Sequence, residues 1–442
     1  MLLHADERAR GPHAGSNPPA VLLGGSANAV SVARSLWAAG VPVVALGHAD
    51  SPVRHSRACD AFVDLGRDDG VQQRWLRWLQ DGPRGAVLLP CEDDGLELLI
   101  SHRRRLTRLG YRLIEADDAV ARDMLDKNRT YALARDLGIP APRTLTVRTT
   151  ADVDAAAGGL EYPCALKPVH SHRFQRRTGT GVKAFVVQDA DELRDRFAYA
   201  QERGAEMLVT EIIAGDDDRI FGFHTYLDED GAPLFGLTKR KLRQHPVGFG
   251  LGSLHVTVHE PEVARLGLAF LQGVGLRGLA NVEFKRDARD GVLKLIECNH
   301  RFTAPNEQLR IAGVDVALLV YNRVLGRPVA PVGEPRAGVR LWNPGKDFRS
   351  FLELRRRGEL STAAWVRSVA RPQHFPLFRW DDPRPSVALQ AGRARRVVDK
   401  RLAKVRGLSA RPDVPVAVTD DGAAALRAVA GGQVVASRAH AR

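Results

Sequence analysis

LIECNHRF, residues 295–302, places three polar side chains on a stretch that otherwise reads as core. Alternate residues of a strand share a face. Glu297, Asn299 and Arg301 would therefore line up on one side, offering a carboxylate, a neutral oxygen donor and a fixed cation. LANVEFKR (279–286) supplies a second acid, Glu283, on the partner strand of a hairpin turned at ARDG. Two unit charges about 4 Å apart at an effective dielectric of about 20 interact by about 4 kcal/mol. An ordinary cross-strand pair is worth only about 0.2–1 kcal/mol. Facing carboxylates therefore need a proton, a neighbouring cation or a divalent ion. Hard oxygen donors with the amide oxygen of Asn299 suit Mg²⁺, with Mn²⁺ as an alternative and phosphate oxygens completing the shell. The competing reading pairs the two acids with Lys285, Lys294 or Arg301 on an exposed face.

Two lysines could meet the anion that such a metal carries. Lys167 ends the apolar run YPCALKP, and a buried lysine calls for an anionic partner. Lys127 opens a helix, where the dipole disfavours a cation unless an anion is present. A snorkelling Lys167 and a solvated Lys127 would need no ligand. In TEIIAGDDD (210–218), Glu211 and Asp218 bracket an apolar backbone that could present amides near Ile213 to a flat base, with Asp218 on ribose hydroxyls. An exposed acidic turn reads the same way. KRKLR (239–243), including Arg240 and Lys241, could stabilise a transferred phosphate or stand as a solvated charge run. HVTVH (255–259) has the i, i+4 spacing of a helical zinc site. Its Val/Thr context reads as a strand, where the two histidines lie roughly 13 Å apart, so zinc is rejected.

The elements that must position these residues follow from periodicity. PAVLLGG (19–25), VPVVALG (41–47), GAVLLP (85–90) and YRLIEA (111–116) read as strands. NAVSVARSLWAAG (28–40) and LELLISHRRRL (96–106) read as helices between them. Alternation of this kind predicts an α/β domain with a parallel sheet over 19–125. GGSAN (24–28) lacks the G-x-G-x-x-G spacing of a dinucleotide turn. From 126 the pattern predicts a helix that stops at Gly138 before Pro140 and Pro142, strands at 161–169 and 206–215, a polar Gly-bearing hairpin connection and then a strand within 171–187, hairpins at 221–243 and 280–299, and a helix pair at 306–326. Residues 331–390 read as an accessory segment, 1–18 as a disordered tail, and 391–442 as a basic and then Ala-rich tail.

Bulk composition narrows the class. The 442 residues allow two to four domains. No apolar run approaches the roughly 20 residues of a membrane span. The polar start does not resemble a signal or transit peptide. Four scattered cysteines, Cys59, Cys91, Cys164 and Cys298, suggest free thiols in a reducing cytoplasm. The net charge of +13 is uneven, because residues 391–411 alone carry +7. That stretch could contact nucleic acid or an acidic membrane, although a solvated helix is the simpler reading and no aromatics interleave with it.

In this order the pieces resemble the ATP-grasp superfamily: Lys127, Lys167, a loop near 171–182, the stretch 211–218, N-x-E-F at 281–284 and E-C-N-H-R at 297–301. FGLTKRKLRQHPVGFG (235–250) is most similar to D-aspartate ligase-type carboxylate–amine ligases. The resemblance covers 19–330 and implies a Rossmann-like domain followed by a two-lobed ATP-grasp domain, α+β in its second part, over 126–330. It implies ATP phosphates on Lys127 and Lys167, adenine on Glu211 and the backbone near Ile213, and ribose on Asp218. Glu283, Glu297 and Asn299 would ligate Mg²⁺. Arg301, with Arg240 and Lys241, would face the acyl-phosphate centre. It implies small-molecule carboxylate and amine substrates, release of ADP and phosphate, and often a dimer. The loop at 171–182 departs from the pattern in carrying Arg173, Arg176 and Arg177, and His300 departs from it after Asn299. Biotin carboxylases share E-x-N-x-R but continue Q-V-E-H, where this chain has FTAPNEQ. Two other functions fit parts of the pattern: a non-catalytic nucleotide sensor or scaffold using 391–411, and a carboxylate–thiol ligase.

Overall fold

A computed structural model describes residues 17–405. The disordered-tail expectation for 1–18 and the end of the basic tail beyond 405 therefore lie largely outside the described residues. Within them the chain divides into two compact units. Residues 17–118, 301–335 and 375–405 form the first; residues 119–300 and 336–374 form the second.

The first unit is built on short strands, apolar throughout in β1, β2 and β4: β1 (Ala20–Leu23), β2 (Val43–Gly47), β3 (Ala61–Asp64), β4 (Val87–Pro90) and β5 (Arg112–Leu113). They pair in parallel in the order β3-β2-β1-β4-β5. AVLL and VLLP are buried throughout, as strands covered on both faces must be. Helices α1 (Ala27–Ala38), α2 (Val71–Asp81) and α3 (Asp93–Arg108) make the crossovers. Asp93 and Asp94 sit in the first turn of α3, where the helix dipole favours anions.

The second unit begins with α4 (Asp118–Leu125), whose first residue still belongs to the first, and α5 (Lys127–Asp136). A four-stranded sheet follows, of β6 (Thr144–Val147), β7 (Cys164–Pro168), β8 (Phe185–Val187) and β9 (Met207–Glu211), in the order β6-β9-β7-β8. Strand alternation divides its residues. Cys164, Leu166, Phe185, Val187, Met207 and Val209 pack with Val153 of α6 (Thr150–Ala157) and with Leu193 and Phe197 of α8 (Ala190–Gln201). Ala165, Lys167 and Val186 are left for the other face. The connection expected as a polar hairpin is instead a helix, α7 (Ser171–Thr178), ended by Gly179 at φ 65°. His172 and Phe174 give it a buried side, which the count of polar residues concealed.

The larger sheet contains β10 (Ile220–Leu227), β11 (Pro233–His245), β12 (Leu251–Val258), β13 (Gly278–Arg286), β14 (Leu293–Asn299) and β15 (Arg340–Trp342), in the order β14-β13-β10-β11-β12-β15. Phe221, Phe223, Val282, Phe284 and Leu295 form its apolar face. They pack with Tyr131 of α5 and with Val263, Phe270 and Leu271 of α9 (Pro261–Gly273).

The chain then returns to the first unit through α10 (Asn306–Ala312) and α11 (Val316–Val324). Ser31 of α1 donates to buried Glu307 at 2.9 Å, and Arg310 salts the same carboxylate. The expected accessory segment 331–390 is not one body. Residues 336–374 supply β15, the edge strand beside β12, together with α12 (Pro344–Arg356) and α13 (Thr362–Val369). Residues from 375 return to the first unit, where the buried Arg34 guanidinium binds Asp382 at 2.9 Å, and end in α14 (Arg384–Val405).

Asp347 of α12 joins the late segment to the sheet. It is fully buried and accepts from Arg243 Nε and Nη2 (2.8 and 2.9 Å), Ser253 Oγ (3.0 Å) and Trp365 Nε1 (2.9 Å). Asp347→Ala leaves Arg243 buried without its partner, and breaking such a pair costs about 3–5 kcal/mol. Urea unfolding is the check; a loss below about 1 kcal/mol, within reach of an exposed pair, would show that the contact is not holding the segment.

Candidate active site

The run Lys239-Arg240-Lys241 lies on β11, so its members alternate between faces. Lys239 and Lys241 lie on the face opposite the α9 core. Their amines reach Glu283, at 3.1 Å to Oε1 and 3.4 Å to Oε2. Arg240 points the other way. It pairs with Asp218 at 2.7 Å and lies 5.8 Å from the Phe221 ring centre, so it does not join Lys241, and the expectation that the two act together is corrected.

Between Lys239 on β11 and Glu283 on β13 runs β10, and the residue opposite both is Gly222. A Cβ there would come within 2.7 Å of Lys239 Cε and 3.2 Å of Asn281 Nδ2. The missing side chain is what lets a lysine stretch across a whole strand. Burial alone would push the Glu283 carboxyl up, but Lys241 and Lys239 outweigh it and hold the group well below the usual carboxylate range. Burial, partly offset by Glu283, lowers Lys239.

Glu297 on β14 stands directly opposite Glu283, and Asn299 opposite Asn281. Asn299 Nδ2 donates to Glu297 Oε1 at 2.9 Å. The two acids are thus adjacent, and the compensating cations are Lys239 and Lys241. Lys294 instead pairs with Glu211 and Asp287, and Arg301 with Asp93 of the first unit. Three hard oxygen donors on neighbouring strands fit a Mg²⁺ or Mn²⁺ ion.

The smaller sheet contributes Lys167, on the same face of β7 as Ala165. No ion pair reaches it among the described residues; its amine lies 5.4 Å from the Phe249 ring centre. Burial, and then Lys127, bring its pKa down to about 8, while Glu297 works in the opposite direction. The fields of Lys127 and Glu297 at one amine relate the two lysines to the carboxylate hairpin. Lys127 donates to Val169 O (3.2 Å) and Ser171 Oγ (2.8 Å). The cap preceding it, Asp126, accepts from the amides of Asn128 and Arg129, so a local anion already offsets a cation at this helix start.

In the stretch 211–218 the carboxylates divide differently from expectation. Glu211 is held by Lys294 at 2.8 Å and Arg289 at 3.5 Å, and Ile213 is buried. Asp218 is taken by Arg240 as described. The neighbour Asp217 is the buried acid, accepting from Gln244 Nε2 at 2.7 Å and Gly248 N at 3.1 Å. Burial raises it to about 6 against the pull of Lys285 and Lys241.

A family model described as an ATP-grasp domain matches residues 117–215. The part of the chain so recognised is an ATP-grasp domain. A D-aspartate ligase of Enterococcus faecium is 27% identical over 365 residues, covering 77% of this chain and 85% of that protein. A D-alanine–D-alanine ligase of Stutzerimonas stutzeri is 28% identical, covering 45% of this chain and 63% of that protein. In fold the chain is similar to the biotin carboxylase domain of Hydrogenobacter thermophilus 2-oxoglutarate carboxylase, solved with MgADP, ADP and bicarbonate. The TM-score is 0.57 at 18% identity, over 72% of this chain and 73% of that one. The D-aspartate and D-alanine–D-alanine ligase homologues are ADP-forming carboxylate–amine ligases.

Sequence reasoning offered Lys239 only as one of the KRKLR cations, without its pairing to Glu283, and missed Gly222, Asp217 and Phe249. Strand alternation in KRK and the small residue in FGF were the available signals for Lys239 and Gly222. Gly222→Ala is expected to push Lys239 off Glu283 and lower stability by about 2–4 kcal/mol. In a double-mutant cycle with Lys239→Met, the two losses should fall well short of additive, as they do for coupled neighbours. Additive losses would show that Gly222 acts independently of Lys239.

Proposed function

We propose that the protein is an ATP- and Mg²⁺-dependent ligase that joins a carboxylate to an amine through an acyl phosphate. The observation that carries this reading is the facing pair Glu283 and Glu297 with Asn299 on one sheet, electrostatically coupled to the amine of Lys167 on the other. The D-aspartate ligase relative supports amino-acid or cell-envelope precursor substrates. Four unpaired cysteines, three of them buried, support a reducing cytoplasmic setting. Among the described residues no helix is long and apolar enough to cross a membrane.

In this reading Glu283, Glu297 and Asn299 hold the metal, which when bound screens the phosphate charge. Lys127 and Lys167 grip the phosphates. Glu211 and the backbone at Ile213 receive adenine. Asp217, which shares the buried face with Lys285 and Lys241, takes the ribose role first assigned to Asp218. Substrate carboxylate oxygen attacks the γ-phosphorus in line and ADP leaves. Lys239 and Lys241 neutralise charge spreading over the transferred group. Arg301 is assigned to the acyl centre through the resemblance. The amine then attacks the acyl carbon, phosphate departs, and the amine proton passes to solvent or to the phosphate. No side-chain nucleophile is needed, since positioning and charge supply the acceleration.

Phosphate release from ATP with a panel of amino acids and acyl acceptors is the direct test. A pair of substrates should release phosphate, and Glu297→Gln should slow that release by about 100-fold or more, the scale of losing one preorganised electrostatic group. Undiminished turnover by Glu297→Gln would remove the metal assignment. Nucleotide affinity should also follow two titrations. Bound phosphate raises the Lys167 pKa, so affinity holds below about 8 and falls as pH rises beyond it. Asp217 must be ionised to accept from ribose, so affinity falls again below about 6. Calorimetric ADP titrations between pH 5 and pH 9.5 check this; a flat profile would show that neither group meets the nucleotide.

A further inference from the structure

Strand β11 ends at His245 and β12 begins at Leu251, so residues 246–250 form the turn between them. The turn reaches beyond its own sheet. Phe249 packs against Ala165, Ala184, Val186 and Ile212, on the face of the smaller sheet that carries Lys167. Those four residues are between 0% and 7% exposed, and two of them are alanines. The floor they make is flat, apolar and bordered by a lysine, with the Ile212–Ala214 backbone continuing from its edge. The ring of Phe249 covers it.

The turn is tied down at its root by two carboxylates. Gly248 N donates to Asp217 Oδ1 at 3.1 Å, and Val247 N donates to Glu353 Oε2 of α12 at 3.2 Å. Gln244 Nε2 occupies the same Asp217 oxygen at 2.7 Å. Asp217 Oδ1 thus serves the chain's own strand and turn, although under the reading above the same carboxylate serves ribose hydroxyls.

We propose that Phe249 is a plug: it fills the flat apolar slot that a nucleotide base takes, so that base binding and docking of turn 246–250 exclude each other, with Asp217 exchanging Gly248 N for ligand hydroxyls. The proposal rests on the nucleotide-binding reading of this site. It assigns the late segment a role, because Glu353 of α12 stabilises the plugged form. A ligand whose binding-competent form is a minor population loses apparent affinity in proportion to that population. Removing the ring removes that loss.

The test is calorimetric titration of the full chain with MgADP. If the open form makes up about 10% of the molecules, Phe249→Ala should bind about tenfold more tightly than the parent. Glu353→Ala, which leaves the slot intact and frees only the root of the turn, should shift affinity in the same direction by less. Hydrogen exchange at 246–250 should speed up when MgADP is added to the parent chain. Equal or weaker binding by Phe249→Ala, with the parent binding MgADP normally, overturns the plug while leaving the nucleotide site standing. If neither protein binds MgADP, the nucleotide reading falls and the plug falls with it.

Discussion

A lysine reaching across an intervening strand to a buried carboxylate is the constraint on which the site depends. Glu283 lies under two ammonium groups, and the nearer, on Lys239, arrives only because Gly222 has no side chain. Leaving either charge buried alone costs several kcal/mol, so neither partner can be exchanged singly. The arrangement also fixes register. A one-residue slip of β11 would bring Arg240 to the carboxylate and turn both lysines into the aromatic core. Asp217 and Asp218, in a single 3-10 turn beside β11, part in the same way, Asp217 meeting Gln244 and Asp218 meeting Arg240. Charge and packing thus choose the same register independently.

Of the facing acids Glu283 and Glu297, lysines already balance one. A divalent ion bound there, as proposed, would meet a site whose repulsion is partly relieved. The lysines would then be available to anionic oxygens, which would link metal and phosphate binding electrostatically. Lys167 adds to this balance from the smaller sheet: its ammonium is destabilised by burial and by Lys127, and an anion would restore it. Behind the site, Asp347 fixes Arg243 while Glu353 fixes the turn at Val247. The segment 336–374 is thereby part of the framework of the site.

Much of this was legible in the residues. Apolar strands alternating with amphipathic helices announced the parallel sheet, and period-two patterning announced both hairpins. Glu283 and Glu297 faced each other as the spacing implied. What escaped has physical causes. Residues 171–178 are polar almost throughout, so the buried side formed by His172 and Phe174 was too short to mark a helix. Arg240 was grouped with Lys241 because a charge run looks uniform until strand alternation is applied to it. Asp217 and Asp218 differ by one position in an acidic turn, and only the hydrogen bonds from Gln244 and Gly248 separate them. The division of 331–390 between two units depends on Arg34–Asp382 and Arg243–Asp347, pairs over a hundred residues apart in sequence, which no local pattern reveals.

The most direct measurement of the central claim is an anomalous-scattering map of crystals grown with Mn²⁺ and a non-hydrolysable ATP analogue. The account requires a peak about 2.0–2.2 Å from carboxylate oxygens of Glu283 and Glu297 and from the Asn299 amide oxygen, the spacing of a small hard cation in an oxygen cage. Phosphate density should lie against the amines of Lys127 and Lys167. A manganese peak away from that hairpin, or nucleotide bound elsewhere with Glu283 still clasped by Lys239 and Lys241 alone, would contradict it.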